Sequence, residues 1–276
     1  MRPSHLCCRK LLAADIAIPV PTHVYPGGPP LRPVSPWTGC YLGAQFGGGW
    51  ADQQFNGGPF ADTVVPSSGG GLPLAMALTP SSFSAGSGGV LAGGQAGCDV
   101  EFGGGWVAGV AVDGAWANIS GNSSFDQTLT SSVIFPAAAT QVASTGQVQE
   151  KTNALATGTV RFGYSFGQGL IYGKGGVAWD RTDYRFFGQV CGSSSNSCVF
   201  TTPFDFTAPT DSRWGWTAGI GTEWILVGNW SIFGEYDYLD FGSKNLTFTD
   251  PIMGQAVFSV RQHINEGKLG VNFRFY

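Results

Sequence analysis

Trp106-Val-Ala-Gly-Val-Ala-Val-Asp-Gly-Ala-Trp-Ala-Asn118 decides how the chain is read. Its even positions carry Trp106, Ala108, Val110, Val112 and Trp116, while its one charge, Asp113, falls on the odd set. A period of two places those sets on opposite faces of a β-strand. The strand therefore has one apolar face and one face of small residues and a carboxylate. The two Trp stand ten residues apart; at about 3.3 Å per residue and a tilt near 45°, that spans roughly 23 Å, close to the apolar band of about 25 Å on a membrane barrel.

The same alternation recurs on both sides of this segment, at residues 38–50, 90–102, 156–166, 170–180, 214–225, 230–241 and 263–275. With 106–118 that makes eight strands, and after Trp37 no segment shows the i, i+3, i+4 stripe of a helix. The connections alternate in length. Gly103-Gly-Gly, Gly167-Gln-Gly and Leu226-Val-Gly-Asn are tight, whereas residues 52–89, 119–155, 181–213 and 242–262 are long, polar and rich in Gly, Ser, Thr and Pro. Short turns at one end and long loops at the other are how an antiparallel transmembrane barrel is strung, with periplasmic turns and external loops. The expectation is an all-β, eight-stranded antiparallel transmembrane β-barrel with three short periplasmic turns and four long external loops.

Lipid accepts apolar outward side chains, and a barrel interior accepts polar ones. On the inward parity lie Asp99, Glu101, Asp113, Arg161, Lys174, Asp180, Glu223, Glu235, Asp237, Glu266, Lys268 and Arg274; only Asp240, at a strand end, is on the outward one. Trp50, Trp106, Trp116, Trp179, Trp214, Trp216, Trp224 and Trp230 share the apolar parity of their strands, and together with Trp37 all nine Trp lie at or near strand ends. That is the arrangement of an aromatic girdle. A soluble sandwich or lipocalin-like barrel would turn the apolar face inward, point twelve charges to water and leave the girdle spacing to chance.

Composition agrees. Of 276 residues 43 are Gly, more than twice the ordinary usage of about 7%. Many fall on the inward parity, where an eight-stranded lumen is only wide enough for side chains. Glycines beside long charged residues let those fill the lumen, so Asp113, Arg161, Lys174, Glu223, Glu235, Lys268 and Arg274 are expected to form an ion-pair network that plugs it. Asp99, Glu101, Asp180 and Glu266 lie toward strand ends and are expected near wet rims or protonated. Deleting Arg161 is expected to destabilise the barrel and to open the lumen. The mean hydropathy of +0.06 and the absence of any apolar run near 18 residues exclude a helical membrane protein. Twenty Phe, nine Trp and eight Tyr exclude disorder, and a net charge of −4 leaves no electrostatic footprint for nucleic acid.

The termini and cysteines add organisation. Arg2, Arg9 and Lys10 precede Leu11-Leu-Ala-Ala14, which has the charge and small residues of an export signal with little of its apolar centre. Residues 1–14 are read as the remnant of that signal, 15–36 as a Pro-rich periplasmic leader, and 37–276 as the barrel. The six Cys make no CxxC pair and no metal-ligand spacing with His, so neither metal nor cofactor is expected. Cys191 and Cys198 flank Gly-Ser-Ser-Ser-Asn-Ser, a spacing that a disulfide can staple in an oxidising compartment, though spacing alone does not decide whether they are bonded.

Seven motifs taken in order carry a family resemblance: Trp37-Thr-Gly-Cys-Tyr-Leu-Gly-Ala, Gly93-Gly-Gln-Ala-Gly, Gly158-Thr-Val-Arg-Phe-Gly-Tyr, Leu170-Ile-Tyr-Gly-Lys-Gly-Gly-Val-Ala-Trp, Gly215-Trp-Thr-Ala-Gly-Ile-Gly-Thr-Glu-Trp, Asn229-Trp-Ser-Ile-Phe-Gly-Glu-Tyr-Asp-Tyr-Leu-Asp-Phe-Gly and Gly270-Val-Asn-Phe-Arg-Phe. From Trp37 to Tyr276 the chain resembles the small outer-membrane β-barrel proteins of alphaproteobacteria, of the porin-family, immunogenic surface antigen type. The resemblance implies an outer-membrane location, antigenic loops, a role in envelope integrity, contact with outer-membrane lipid and lipopolysaccharide, and recognition of the C-terminal strand by the barrel-assembly machinery. The family's terminal Phe is Phe275 here, followed by Tyr276. Cys40 and Cys98 stand where the family usually has aromatics, implying lipid-facing thiols without a redox role.

A non-enzymatic envelope barrel is the leading functional reading. Its rivals are a narrow porin-like channel and capture of a ligand such as haem, or of a host component, by the long loops, where Phe83, Phe125, Phe135 and Phe200 stand. An enzyme is not expected. His263 is the one His after residue 36, and no nucleophile stands at the spacing that a general base requires.

Overall fold

The computed structural model describes residues 36–57, 82–130, 141–194, 197–251 and 254–275. The expected signal remnant and the leader up to residue 35 lie outside them. The strands are β1 (Gly39–Gly57), β2 (Ser82–Phe102), β3 (Trp106–Thr130), β4 (Gln141–Phe166), β5 (Gly169–Ser194), β6 (Ser197–Thr207), β7 (Asp211–Ile225), β8 (Trp230–Asp250) and β9 (Gly254–Phe275). All pairings are antiparallel, and β1 pairs with both β2 and β9, closing the ring.

There are nine described strands in eight ring positions. Residues 169–182 of β5 pair with β7, and residues 185–194 pair with β6, so β6 continues the wall beyond the end of β7. β6 meets β8 at one rung, Thr207 opposite Thr249. The ring of eight agrees with the expectation; the extra strand was hidden in a segment read as loop. Most strands also run well past the expected boundaries, β3 by twelve residues to Thr130 and β4 from Gln141 onward. Alternation continues there with its polarity reversed, polar outward and apolar inward, so an apolar-outward criterion stops too early.

The three tight connections are built from glycine. Gly103, Gly104 and Gly105 have φ of 50°, 81° and 107°, and Gly167 and Gly228 sit at 73° and 59°, backbone conformations in the left-handed region that side chains disfavour. These connections define a turn end; the other is the loop end. Between them, Leu42, Phe46, Val110, Val112, Val160, Phe162, Ile171, Val177, Ile220, Leu269 and Val271 form an exposed apolar band. Trp106, Trp224 and Trp230 border it at the turn end, and Trp50, Trp116, Trp214 and Trp216 toward the loop end, all strongly exposed, with Trp179 half-buried in the same outer tier.

Trp37 corrects the girdle. It is 0% exposed, and its indole N–H donates to the Gly167 carbonyl at 3.3 Å. It precedes β1 and turns into the lumen, where an indole fills the turn-end mouth. Cys40 and Cys98 are corrected in state but not in face. They are opposite one another on β1 and β2, partly or fully exposed on the outer wall, and joined as a disulfide rather than standing as thiols. Cys191 is also disulfide-bonded; the side chain of Cys198 lies outside the described residues.

Two strands change which parity faces inward. In β4 the buried set is 146, 148, 150 and 152, then 155, 157, 159 and 161, across an irregularity at Thr152/Ala154. In β8 the change falls at Asp240/Ser243, where Gly242 has φ of 63° and its N–H donates to Asp240 Oδ1 at 2.7 Å. The outward parity assigned to Asp240 is thereby explained: Leu239 before it points into the lumen, while its own carboxylate meets exposed Arg261 at 3.5 Å. A bulge holds the carboxylate against its own backbone, and the residue is 9% exposed.

Candidate functional site

The lumen is the place where function must be sought, and inward side chains fill it in layers. At the turn end Trp37, Val107, Leu170 and Tyr172 form an apolar floor, with Ile225 against it. Above it lies the ionic layer. Arg161 donates to both carboxylate oxygens of Asp99, through Nε at 2.6 Å and through Nη2, and from Nη1 to Glu223 at 3.3 Å. Arg274 Nη2 reaches Asp99 Oδ2 at 3.1 Å and Glu223 Oε1 at 3.0 Å. Ser231 and Asn272 also donate to Glu223, at 2.6 and 3.0 Å. The Tyr41 ring lies beneath both guanidiniums, at 4.7 Å from Arg161 and 5.2 Å from Arg274.

Beside this two-against-two cluster is a lysine cluster. Lys174 Nζ lies 2.5 Å from Glu235 and 2.9 Å from Asp237. Lys268 Nζ reaches Asp113 at 2.8 Å, Asp237 at 2.9 Å and Glu266 at 2.8 Å. Tyr172 donates to Glu235 at 2.5 Å, and Thr157 to Asp113 at 2.9 Å. Taking charges from water is costly unless partners and further hydrogen bonds replace the solvent, and here both are present. Glycine makes the room: a Cβ at Gly97 would overlap the Tyr41 hydroxyl, one at Gly109 the Asp99 carboxylate, and one at Gly219 the Asp237 carboxylate.

Next comes an apolar layer of Ala51, Leu91, Ala117, Ile119, Leu155, Ala178, Leu239, Phe241 and Ile264. A polar ring follows. Gln262 on β9 donates across the lumen to Asp180 on β5 at 3.0 Å and accepts from Tyr184 at 2.8 Å; Thr182 donates to Asp180 and meets Thr152, each at 2.9 Å. Arg213 joins through Tyr184 at 3.3 Å, the Val260 carbonyl at 2.9 Å and the Asp211 carboxylate. Glu150 and Gln53, 2% and 0% exposed, belong to the same layer, and their side-chain polar atoms make no hydrogen bond among the described residues. Glu150 stands four residues beyond Ala154, the partner of Trp116, and so outside the apolar band. Burial pushes its carboxyl up to about 7, with Ser87 opposing the shift and Asp52 adding to it.

The loop-end layer is aromatic: Phe55, Phe125, Tyr184, Phe186, Phe204, Phe206, Phe248 and Phe258 pack with Val148, Leu246 and Val260, and Phe83 lies against them. Phe55 stacks on Phe83 at 4.6 Å and Phe125 on Phe186 at 4.7 Å. Phe83 and Phe125, expected as loop aromatics, are thus barrel residues. Phe135 and the side chain of Phe200 lie outside the described residues.

The structure brings all seven expected network residues into the ionic layer. Sequence reading left Asp99, Glu101, Asp180 and Glu266 two alternatives, a place near a wet rim or a protonated carboxyl, and the structure sets the rim aside for three of them. Asp99, Asp180 and Glu266 are instead 2%, 0% and 2% exposed, because the strands continue past Asp180 and Glu266 and close the lumen above, and the Trp37 floor closes the turn end beneath Asp99; Glu101 is half-buried at the turn end. Tyr41 and Tyr172 were missed, as was everything in the polar ring and aromatic layer except Asp180. The signal for the upper layers was alternation such as Ala51-x-Gln53-x-Phe55 and Tyr184-x-Phe186. His263 lies on the wall 3.4 Å from Asp52, beside the Tyr238 ring, with no hydroxyl nucleophile bonded to it among the described residues.

Comparison with known sequences agrees with this architecture. The family model described as outer membrane protein beta-barrel domain matches residues 29–275. The 31 kDa outer-membrane immunogenic proteins of Brucella melitensis biotype 1 and Brucella suis biovar 1 are each 26% identical over 267 residues, covering 96% of this chain and 93% of theirs. Among solved structures, OprG from Pseudomonas aeruginosa aligns at 11% identity with a TM-score of 0.44, covering 87% of this chain and 97% of its own. Ail of Yersinia pestis aligns at 15% and 0.32, covering 86% and 99%. With a family model spanning nearly the whole closed ring, the chain belongs to the outer-membrane β-barrel proteins and resides in the bacterial outer membrane.

Proposed function

We propose that the protein is a sealed, non-enzymatic envelope barrel whose loop end faces the cell exterior and whose turn end faces the periplasm. The observation that carries this reading is the layered lumen. An ion needs a continuous polar path, and here paired charges are covered by apolar side chains at three levels. Burial of an ion against such layers is strongly unfavourable. Refolded full-length protein in a planar bilayer is expected to pass no steady current; steady single-channel conductance would replace this reading with a narrow pore. Arg161→Ala is expected to weaken the barrel without opening it, since two apolar layers above still close the path.

The orientation rests on the connection lengths, since outer-membrane barrels keep short turns on the periplasmic side. Protease added to whole cells is expected to cut only in the long connections. Cleavage at Gly103 to Gly105 in intact cells would invert the topology.

A further inference from the structure

Two grooves lie one above the other on the outer wall, where β3, β4 and β5 adjoin. The upper one is beyond the outer Trp tier and is lined by exposed Ser120, Asn122, Gln149, Lys151, Asp183 and Arg185. Arg181, also exposed, flanks it two positions before Asp183 on β5. The lower one lies in the apolar band and is lined on its outer side by Val110, Val160, Phe162, Gly173 and Gly175, with Cys98 at its edge. Trp116 and Trp179 stand between them on the same strands, and the register irregularities at Trp116/Ile119 and Thr152/Ala154 fall at that level. Bulges there bend the wall, so both concavities follow from one local feature.

The polar inventory of the upper groove is specific. Among the described residues neither Lys151 nor Arg181 forms an ion pair, whereas Arg185, Lys244 and Arg261 each hold an aspartate. Asp183, opposite Lys151, accepts from Asn153 at 2.6 Å, and Asp205 is held by Arg185. On β2, which adjoins β3, and on β1 beside it, the exposed positions beyond the Trp tier are Asp52, Gln54, Asn56, Ser82, Ser84 and Gly86, without a cation. Among the described residues two cations outside any ion pair, the Asp183 carboxylate held by Asn153, a hydroxyl and two amides thus sit at headgroup height directly above an apolar groove.

We propose that this surface binds one phosphorylated glycolipid of the outer leaflet, lipid A, with its phosphates on Lys151 and Arg181, its sugar on Ser120, Asn122 and Gln149, and acyl chains running past Trp116 and Trp179 into the lower groove. Ammonium and guanidinium groups bind phosphate through charge-assisted hydrogen bonds, and Trp favours the boundary between headgroups and hydrocarbon. The lower groove is open to acyl chains because Gly173 and Gly175 carry no side chain; a Cβ at Gly173 would have one neighbour within 4 Å, the Gly219 carbonyl at 3.9 Å. This assignment rests on the proposed orientation, because lipid A is confined to the outer leaflet.

The test is native mass spectrometry of full-length protein refolded in detergent and titrated with lipid A, dephosphorylated lipid A, phosphatidylglycerol and inorganic phosphate. One lipid A is expected to stay bound, with both other lipids at least about tenfold weaker and no retention of free phosphate. Lys151→Glu with Arg181→Glu is expected to weaken lipid A by at least about tenfold, while Gln255→Glu, which adds a negative charge on exposed β9, across the ring from β4, leaves it unchanged. Gly173→Leu, which fills the lower groove, is expected to weaken lipid A as well. Should the double variant fail to fold, Lys151→Gln alone takes its place. Undiminished lipid A binding by the charge variants, equal binding of phosphatidylglycerol, or capture of inorganic phosphate would each overturn the assignment. An inverted orientation would show separately, as whole-cell cleavage at Gly103 to Gly105 with lipid A still retained in detergent.

Discussion

The barrel has two halves built on one pleat with opposite chemistry. In the half inside the apolar band, β1 points Leu42 and Phe46 outward and Tyr41 and Gln45 inward, and β3 points Val110 and Val112 outward and Asp113 inward. In the half beyond it, β1 points Asp52, Gln54 and Asn56 outward and Phe55 inward, and β4 and β5 bury Val148, Tyr184 and Phe186. The alternation is the same while the surroundings change from lipid to water. Each half turns toward the outside whatever matches it, so the lower lumen must accept the charges and the upper lumen receives the aromatics. The polar ring around Asp180 and Gln262 lies on the upper side of that change. The parity shifts in β4 and β8 are where backbone irregularity adjusts the fit.

The halves should therefore fail in different ways. Arg161→Ala leaves Asp99 and Glu223 short of a partner in a closed layer, and is expected to cost about 3 to 5 kcal/mol in equilibrium unfolding in lipid. A cost below about 1 kcal/mol would mean that water enters this layer. Phe186→Ala removes a ring at the centre of the aromatic layer and is expected to cost a similar 3 kcal/mol or more from lost burial and the cavity left behind. This loss should be indifferent to salt. Val110→Arg places a charge at mid-band on the lipid side, with an expected cost of about 2 to 4 kcal/mol. The same change at Gln54, outward but beyond the band, should stay within about 0.5 kcal/mol. Equal costs at the two positions would erase the boundary between the halves.

Glu150 sharpens the comparison through pH. Its carboxyl is raised from the ordinary glutamate value to about 7 in the fold, so the folded state binds the proton more tightly than the unfolded chain. The associated stability is fully present below about pH 4.5 and is lost as pH rises toward and past about 7, by up to about 3 kcal/mol. Glu150→Gln is expected to flatten unfolding free energy across that window. A parent profile already flat between pH 5 and 8 would show that the carboxylate is solvated. The smallest expected effect is at Arg185 and Asp205, which pair at 2.5 Å on the exposed wall; Arg185→Ala should be indistinguishable from the parent in the same titration.

Eight ring positions, the three glycine turns, the outward face of the apolar band and the seven charges of the ionic layer were legible from alternation alone. A strand crossing lipid must separate apolar from polar residues by parity, and 106–118 does so without help from any neighbour. What one strand could not reveal was anything depending on what stands opposite. Asp180 lies deep and not at a rim because β3, β4 and β5 continue beyond their Trp and close the lumen above it, and Asp99 because the Trp37 floor closes the turn end beneath it. Trp37 has the composition of a girdle residue and becomes a floor because a cavity at the turn end accepts it. Cys40 and Cys98 are far apart in the chain and adjacent in the sheet, so their bond is a consequence of register. Periodicity is a property of each segment and survives in the sequence. Depth, pairing and closure are properties of the ring, and they exist only once β9 has met β1.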